Sequence, residues 1–200
     1  MKPDQYGVIH FKNWEASYIP QILKELYLDN VYVPYLTGKK DLVIIDAGFN
    51  IGLFSLYVAP IAKQIYAFEP SKESHDIGLK NLKENGITNV KLFEKAIMKE
   101  DGETTFYQLP NTTANSAMKI AESVATDKMQ VDGIRLDTFV KEEGITKIDF
   151  MKMDIEGAEC EVIGGKGFQN IVPILDAFVV EWHDWSGVNE DGEFFENSWV

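Results

Sequence analysis

Residues 41–58 read DLVIIDAGFNIGLFSLYV, and this stretch decides the fold. LVIID is a short, continuously apolar run that ends in an acid, Asp46, the pattern of a strand buried on both faces of a parallel sheet. Asp46-Ala47-Gly48-Phe49-Asn50-Ile51-Gly52 then forms a turn, and an apolar helix begins beyond it. Gly48 permits an unusual backbone angle or the close approach of a ligand. Gly52 is placed to let the helix pack closely on the sheet, and Asp46 to accept a hydrogen bond from a ligand ammonium. Such a turn is structural in many α/β proteins and binds a nucleotide in others, so a second signal has to decide.

That signal is Glu69, at the end of the next predicted strand, QIYAFEP. An acid about 20 residues beyond a glycine-bearing turn is placed to grip the two hydroxyls of a ribose. Working outward, KESHDIGLKNLKENG is an amphipathic helix with Gly86 as its C-cap. NVKLFEKAI is a third strand, and ETTFY, after an Asp-Gly turn, an extra one. RLDTFVKEEG predicts a helix with Asp137 as N-cap, KIDFMKMD a fourth strand, IEGAECEVIGG another helix, and AFVVEWHDW a fifth strand. Strands alternating with helices give an α/β fold, a mostly parallel sheet wound by right-handed crossovers. Before it, residues 1–40 carry Phe11, Trp14 and Tyr18 and a helical stripe, Ile22, Leu23, Leu26 and Tyr27, that starts at Pro20. The expected organisation is an N-terminal helical or lid segment (1–40), a ligand-binding domain (41–185) and a tail (186–200). Residues 108–130 are polar and irregular and predict a loop over the ligand end of the sheet.

Ligands of open parallel sheets bind beyond the carboxyl ends of the strands. Two acidic groups are predicted there. Asp154, Glu156 and Glu159 follow the fourth strand in KMDIEGAE, and Glu181-Trp182-His183-Asp184 ends the fifth. Glu159 reads equally well as a helix N-terminal cap. His183, beside an acid at the ligand edge, is a candidate base.

Composition narrows the partners. The chain has 200 residues and a net charge of −13, from 19 Lys+Arg against 32 Asp+Glu, with Arg135 its single arginine. A nucleic-acid binder needs a cationic footprint to displace counterions, so nucleic acid is not the expected partner. No apolar run is long enough to span a bilayer, so no membrane partner is expected. The N-terminus has no signal-peptide pattern. The single cysteine, Cys160, excludes an intrachain disulfide and a cysteine-cluster metal site, and a cytoplasmic setting is the default.

DAGFNIGLFSLY, AFEPS, NVKLFEKAI, RLDTF and KMDIEGAECEVIGG, in this order and spacing, resemble the FkbM family of S-adenosylmethionine (SAM)-dependent methyltransferases. The likeness covers about residues 30–183, and KMDIEGAE is its most specific element. The resemblance implies a Rossmann-like class I methyltransferase sheet. It implies SAM as cofactor, S-adenosylhomocysteine (SAH) as product, and O-methylation of a hydroxyl on a sugar or small natural-product-like acceptor. By position it places Asp46, Gly48, Asn50 and Gly52 in the cofactor turn, Glu69 with Pro70 and Ser71 at the ribose, and Lys95, Ala96 and Ile97 on the adenine side. Asn115 and Ser116 are expected near the cofactor, and Asp154 and Glu156 near the reactive methyl. With His183 these two are the candidate catalytic residues.

Two departures stand out. Phe49 occupies a position where the family carries a small residue, and its ring is expected to narrow the methionine end. The C-terminal antiparallel hairpin is expected to be short or missing, because GVNEDGEFFENSWV is a poor strand–turn–strand. The tail, with Phe194, Phe195 and Trp199, or a homodimer would then cover the fifth strand. For the acceptor's proton, His183 is the first candidate, and a divalent cation such as Mg²⁺ on Asp154 and Glu156 is the other. The competing readings are a non-catalytic SAM-binding or interaction protein, an NAD-dependent oxidoreductase, and an RNA 2′-O-methyltransferase. Position 50 is not glycine and G-x-G-x-x-G is absent, which argues against the oxidoreductase. Lys152 and Asp154 partly meet the RNA enzyme's Lys and Asp requirement, but the charge opposes it.

Overall fold

The computed structural model describes residues 10, 19–29, 31–108, 115–116, 127–183 and 198–199. Its main sheet has six strands in the order β10-β9-β8-β1-β2-β3. These are β1 (Leu42–Ala47), β2 (Ala62–Phe68), β3 (Val90–Phe93), β8 (Phe150–Met153), β9 (Phe178–Trp182) and β10 (Ser198–Trp199). All neighbours pair in parallel except β9 and β10. β1 lies between β2 and β8, so the chain winds outward from it in both directions. The crevice at the carboxyl end of β1 is therefore the switch point where such sheets bind ligands.

Burial explains the centre of the sheet. Ile44, Ile45, Asp46 and Ala47 are all fully buried, as a strand covered on both faces requires. One face packs under α1 (Ile19–Tyr27), α3 (Leu53–Val58) and α4 (Lys72–Glu84), in a core that includes Leu26, Phe54, Leu56 and Leu82. The other packs under α5 (Leu136–Glu142), α6 (Glu159–Gly164) and α7 (Lys166–Ile171), in a core that includes Phe68, Phe139, Val162 and Phe168. α2 (Val33–Leu36) is a single short turn of helix. No helix among the described residues is long and apolar enough to cross a membrane.

Several elements differ from the sequence reading. NVKLFEKAI is not one strand. β3 ends at Phe93, and Ala96–Ile97 form β4, which pairs with β7 (Asp127–Ile134) in a second sheet of order β4-β7-β5-β6. β5 (Gly102–Gln108) contains the extra strand ETTFY, and β6 is Asn115–Ser116. The stretch 108–130 is thus not wholly loop. Residues 127–130 open β7, where Met129 and Val131 turn toward Ala96 and Phe106 while Lys128, Gln130 and Asp132 face solvent. The rest of that loop, apart from β6, lies outside the described residues. α5 is capped by Arg135, not Asp137; Asp137 sits in the first turn, accepting from Thr138 N and pairing with the Arg135 guanidinium. At the C-terminus, Ser198 and Trp199 pair antiparallel with Trp182 and Glu181. The antiparallel cover is present on the chain's own tail as a short strand. Phe11, Trp14, Tyr18, Asp184, Phe194 and Phe195 lie outside the described residues.

Candidate active site

The turn after β1 is shaped by backbone angles that few side chains tolerate. Gly48, Asn50 and Gly52 all have positive φ, +86°, +53° and +91°. A Cβ on Gly48 would lie 1.7 Å from the Asp154 carbonyl oxygen, so the close approach that this glycine permits is to the end of β8. A Cβ on Gly52 would meet the Phe49 ring, as would one on Gly78 of α4. The bulky ring is buried in a notch made by these two glycines, although its edge still lines a cleft described below. Gly52 therefore makes room for Phe49 rather than for helix–sheet packing.

Glu69 pins the turn. Its carboxylate accepts from Asn50 N at 2.9 Å and from Ser71 N at 2.8 Å. Burial pushes its pKa up to about 7 against the pull of those two donors. Asp46 lies beneath, fully buried. Its Oδ2 accepts from Ser55 Oγ at 2.6 Å, while Oδ1 has no hydrogen-bond partner among the described residues and lies 3.9 Å from Lys152 Nζ. Burial raises its pKa to about 6. Lys152 donates to the Gly48 carbonyl and to Asp154 Oδ2. Burial would lower its pKa, but Asp154 and Asp46 more than offset this and hold it charged.

Two clefts flank this turn and share Gly48, Asn50 and Asp154. The first is lined by Glu69, Pro70, Lys95, Ala96, Ile97, Glu156 and Ala158, with Met98 and Phe106 from the β4–β5 region. The second lies between α1 (Ile19, Ile22, Glu25, Leu26) and the turn, and is closed by Tyr32, Lys152 and Glu181. Of the predicted cofactor residues, Gly48, Asn50, Glu69, Pro70, Ala96 and Asp154 thus line the clefts. Asp46, Gly52 and Ser71 stand behind them, Ser71 as the N-cap of α4. Asn115 and Ser116 lie on β6, against β5.

At the ends of β8 and β9 the predicted catalytic residues meet. His183 Nδ1 lies 3.0 Å from Glu159 Oε1, and Nε2 lies 3.5 Å from Glu156, 3.8 Å from Glu181 and 4.0 Å from Asp154. Glu159, 1% exposed, also accepts from Ile155 N and Gly157 N. It does not cap α6, whose N-cap is Ala158; these two bonds tie down the turn that leads into the helix. Burial pulls the His183 pKa down, but the Glu159 hydrogen bond and the charges of Glu156 and Asp154 override it and raise it to about 9. Burial and the neighbouring Asp154 charge push Glu156 and Glu181 up. Tyr32 is not singled out by the sequence, and Glu181 enters only as a member of the acidic group that ends the fifth strand, with no role of its own. For Glu181 the signal was present, an acid two positions before His183 on the same strand end.

These features are those of a methyltransferase, and the comparisons agree. The methyltransferase FkbM domain profile matches residues 46–197. The methyltransferase sdnD of Sordaria araneosa is 30% identical over 215 residues, covering 91% of this chain and 81% of that protein. The 2-O-methyltransferase NoeI of Sinorhizobium fredii is 29% identical over 147 residues, 65% of this chain and 59% of its own. The hexuronic acid methyltransferase AglP of Haloferax volcanii is 28% identical over 146 residues, 73% and 58% respectively. The chain belongs to the FkbM methyltransferase family, and its fold is the Rossmann-like α/β fold of class I methyltransferases.

Proposed function

We propose that this protein transfers the methyl group of SAM to a hydroxyl of a sugar or other small acceptor, in the cytoplasm. The observation that carries the reading is the pair of clefts joined at Gly48, Asn50 and Asp154, with the buried Glu69 carboxylate at one end. The adenosine belongs in the first cleft, its ribose diol donating to Glu69, and the adenine beside Ala96–Met98. The methionine moiety crosses the turn toward the second cleft, under α1, so that helix acts as a lid over it. The sulfonium methyl then faces Asp154, Glu156 and His183. Relatives named as a 2-O-methyltransferase and a hexuronic acid methyltransferase support an oxygen acceptor.

The reaction needs the acceptor oxygen in line with the S–CH₃ bond and close to it. The oxygen forms the new C–O bond, the S–C pair stays on sulfur to give SAH, and the hydroxyl proton departs. Two routes for that proton run through the same atoms. His183 Nε2 can take it when the ring is neutral, which requires the sulfonium charge to pull its pKa down from about 9; Glu159 orients the ring through Nδ1. Alternatively, a divalent cation on the cluster can lower the hydroxyl pKa. Calorimetric titration with SAH, followed by a mass-gain assay over a panel of hydroxyl acceptors, tests the reading. Binding of SAH and a gain of about 14 Da on an acceptor are expected. Failure to bind SAH would sink it.

A further inference from the structure

We propose that Asp154, Glu156 and His183 hold a divalent first-row transition-metal ion beside the cofactor's methyl group, where it binds the acceptor hydroxyl. This rests on the methyl-transfer reading above. One ligand atom from each residue, His183 Nε2 and two carboxylate oxygens, lies within 4.8 Å of the others. The 3.5 and 4.0 Å from Nε2 to Glu156 Oε2 and Asp154 Oδ1 are too long for hydrogen bonds. They suit atoms that share a central ion. With bonds of about 2.1 Å, two ligand atoms on one ion lie between roughly 3.0 Å and about 4.2 Å apart across the geometries from octahedral to tetrahedral, and both separations fall in that range.

The second, independent observation is the state of the histidine. Its side chain is 11% exposed, and Nε2 makes no hydrogen bond among the described residues. Nδ1 is tied to Glu159, and Glu159 is itself fixed by Ile155 N and Gly157 N. This is the carboxylate–histidine arrangement that fixes the tautomer and aims the other ring nitrogen at a metal. Asp154 is divided in the same sense. Its Oδ2 is engaged by Lys152, and Oδ1 faces His183. Glu156 accepts no hydrogen bond among the described residues.

The donor set also chooses the metal. Mg²⁺ and Ca²⁺ take oxygen ligands, whereas one imidazole with two carboxylates suits Mn²⁺ or Zn²⁺. Three protein ligands leave positions open for an acceptor hydroxyl, next to Asp154, which lines both clefts. The ion would act as a Lewis acid on that oxygen, and the proton would go to solvent water as the methyl arrives.

The test uses the full chain, stripped with a chelator and titrated with Mn²⁺ alone, with loss of the free-ion electron paramagnetic resonance signal as readout. The same sample is titrated with SAH. One saturable Mn²⁺ per chain is expected, competed by Zn²⁺ and not by Mg²⁺ at equal concentration. His183→Gln and Glu156→Gln should each weaken it at least tenfold at unchanged secondary structure. Glu103→Gln and Asp132→Asn, in an acidic patch on the second sheet, should leave it unchanged. If His183→Gln does not fold, Glu156→Gln carries the test. Absence of a saturable site, wild-type affinity in Glu156→Gln, or equal weakening by the remote variants would overturn the inference. SAH binding without Mn²⁺ binding removes the cation and leaves methyl transfer standing. Loss of SAH binding itself would be failure of the underlying reading.

Discussion

Glu69 makes two opposite demands on pH, and that opposition is measurable. Its carboxylate is buried, accepts two backbone N–H groups, and has a pKa raised from 4.5 to about 7. Both hydroxyls of a ribose can donate to it with charge assistance only in the ionised form, because protonation turns one of its oxygens into a donor. SAH affinity should therefore fall as pH drops through about 7, with a limiting slope of one proton and tenfold per unit. Binding at pH 6 should release close to one proton, read as calorimetric enthalpies that differ between buffers. Stability runs the other way. A carboxyl whose folded pKa lies above its unfolded value binds more protons when folded, so its contribution is full below about pH 4.5 and is lost as pH rises through about 7. A shift of that size is worth about 3 kcal/mol. Glu69→Gln removes the titration, so the difference in unfolding free energy between wild type and variant should change by about 3 kcal/mol between pH 4 and pH 8, favouring wild type at low pH. Glu69→Ala, which strands the Asn50 and Ser71 N–H groups, should weaken SAH by more than tenfold, since each charge-assisted bond contributes about 1.5–3 kcal/mol. SAH affinity that stays flat from pH 5.5 to 8, or equal affinity in wild type and Glu69→Ala, would refute the placement of the ribose.

Three further substitutions probe the frame around the site. Gly48→Ala puts a Cβ 1.7 Å from the Asp154 carbonyl; a loss of more than about 3 kcal/mol in denaturant unfolding is expected, and a neutral result would contradict the close approach of β1 and β8. Gly78→Ala drives a Cβ to 2.1 Å from the Phe49 ring. In combination with Phe49→Ala its cost should shrink, with a coupling of at least about 1 kcal/mol, and additive losses would mean that the ring does not sit in that notch. Lys152→Met leaves Asp154 without its donor and Asp46 without its nearest cation. A destabilisation of about 3–5 kcal/mol is expected from chemical unfolding, and a variant as stable as wild type would show that the buried lysine is not needed to balance those acids.

The parts of the fold that sequence exposed are the parts specified locally. β1, β2, β8 and β9 are short apolar runs with acids at or just beyond their ends, and α4 carries its own N-cap, Ser71. The second sheet is different. β4 pairs in parallel with β7, some 37 residues later (Ala96 with Gly133), and nothing local to Ala96–Ile97 announces that the chain leaves the main sheet after Phe93. The same limit hides which acids face a ligand. Asp46 and Glu69 read alike, as strand-end carboxylates, yet Asp46 is sealed beneath the turn while Glu69 lines the cleft. Their pairing across β1 and β2, Asp46 opposite Ala67 and so two residues short of Glu69, decides the difference.

The cluster of Asp154, Glu156 and His183 shows why spacing could nominate residues and yet leave their roles open. Asp154 and Glu156 follow β8, and His183 follows β9, so parallel pairing of adjacent strands suffices to bring them to one edge. What spacing does not contain is the carboxylate that orients the ring. Glu159 lies in the first turn of α6, where an acid is favoured by the helix dipole whether or not a histidine stands near. Its backbone contacts and its contact with His183 use the same two oxygens, so either role alone would have selected the same residue. Only the tertiary distance of 3.0 Å separates an acid that ties down the turn before α6 from one that also aims Nε2 at Asp154 and Glu156. The alignment of that nitrogen is therefore a property of the α6–β9 packing, and the chemistry of the cluster depends on how firmly that packing holds.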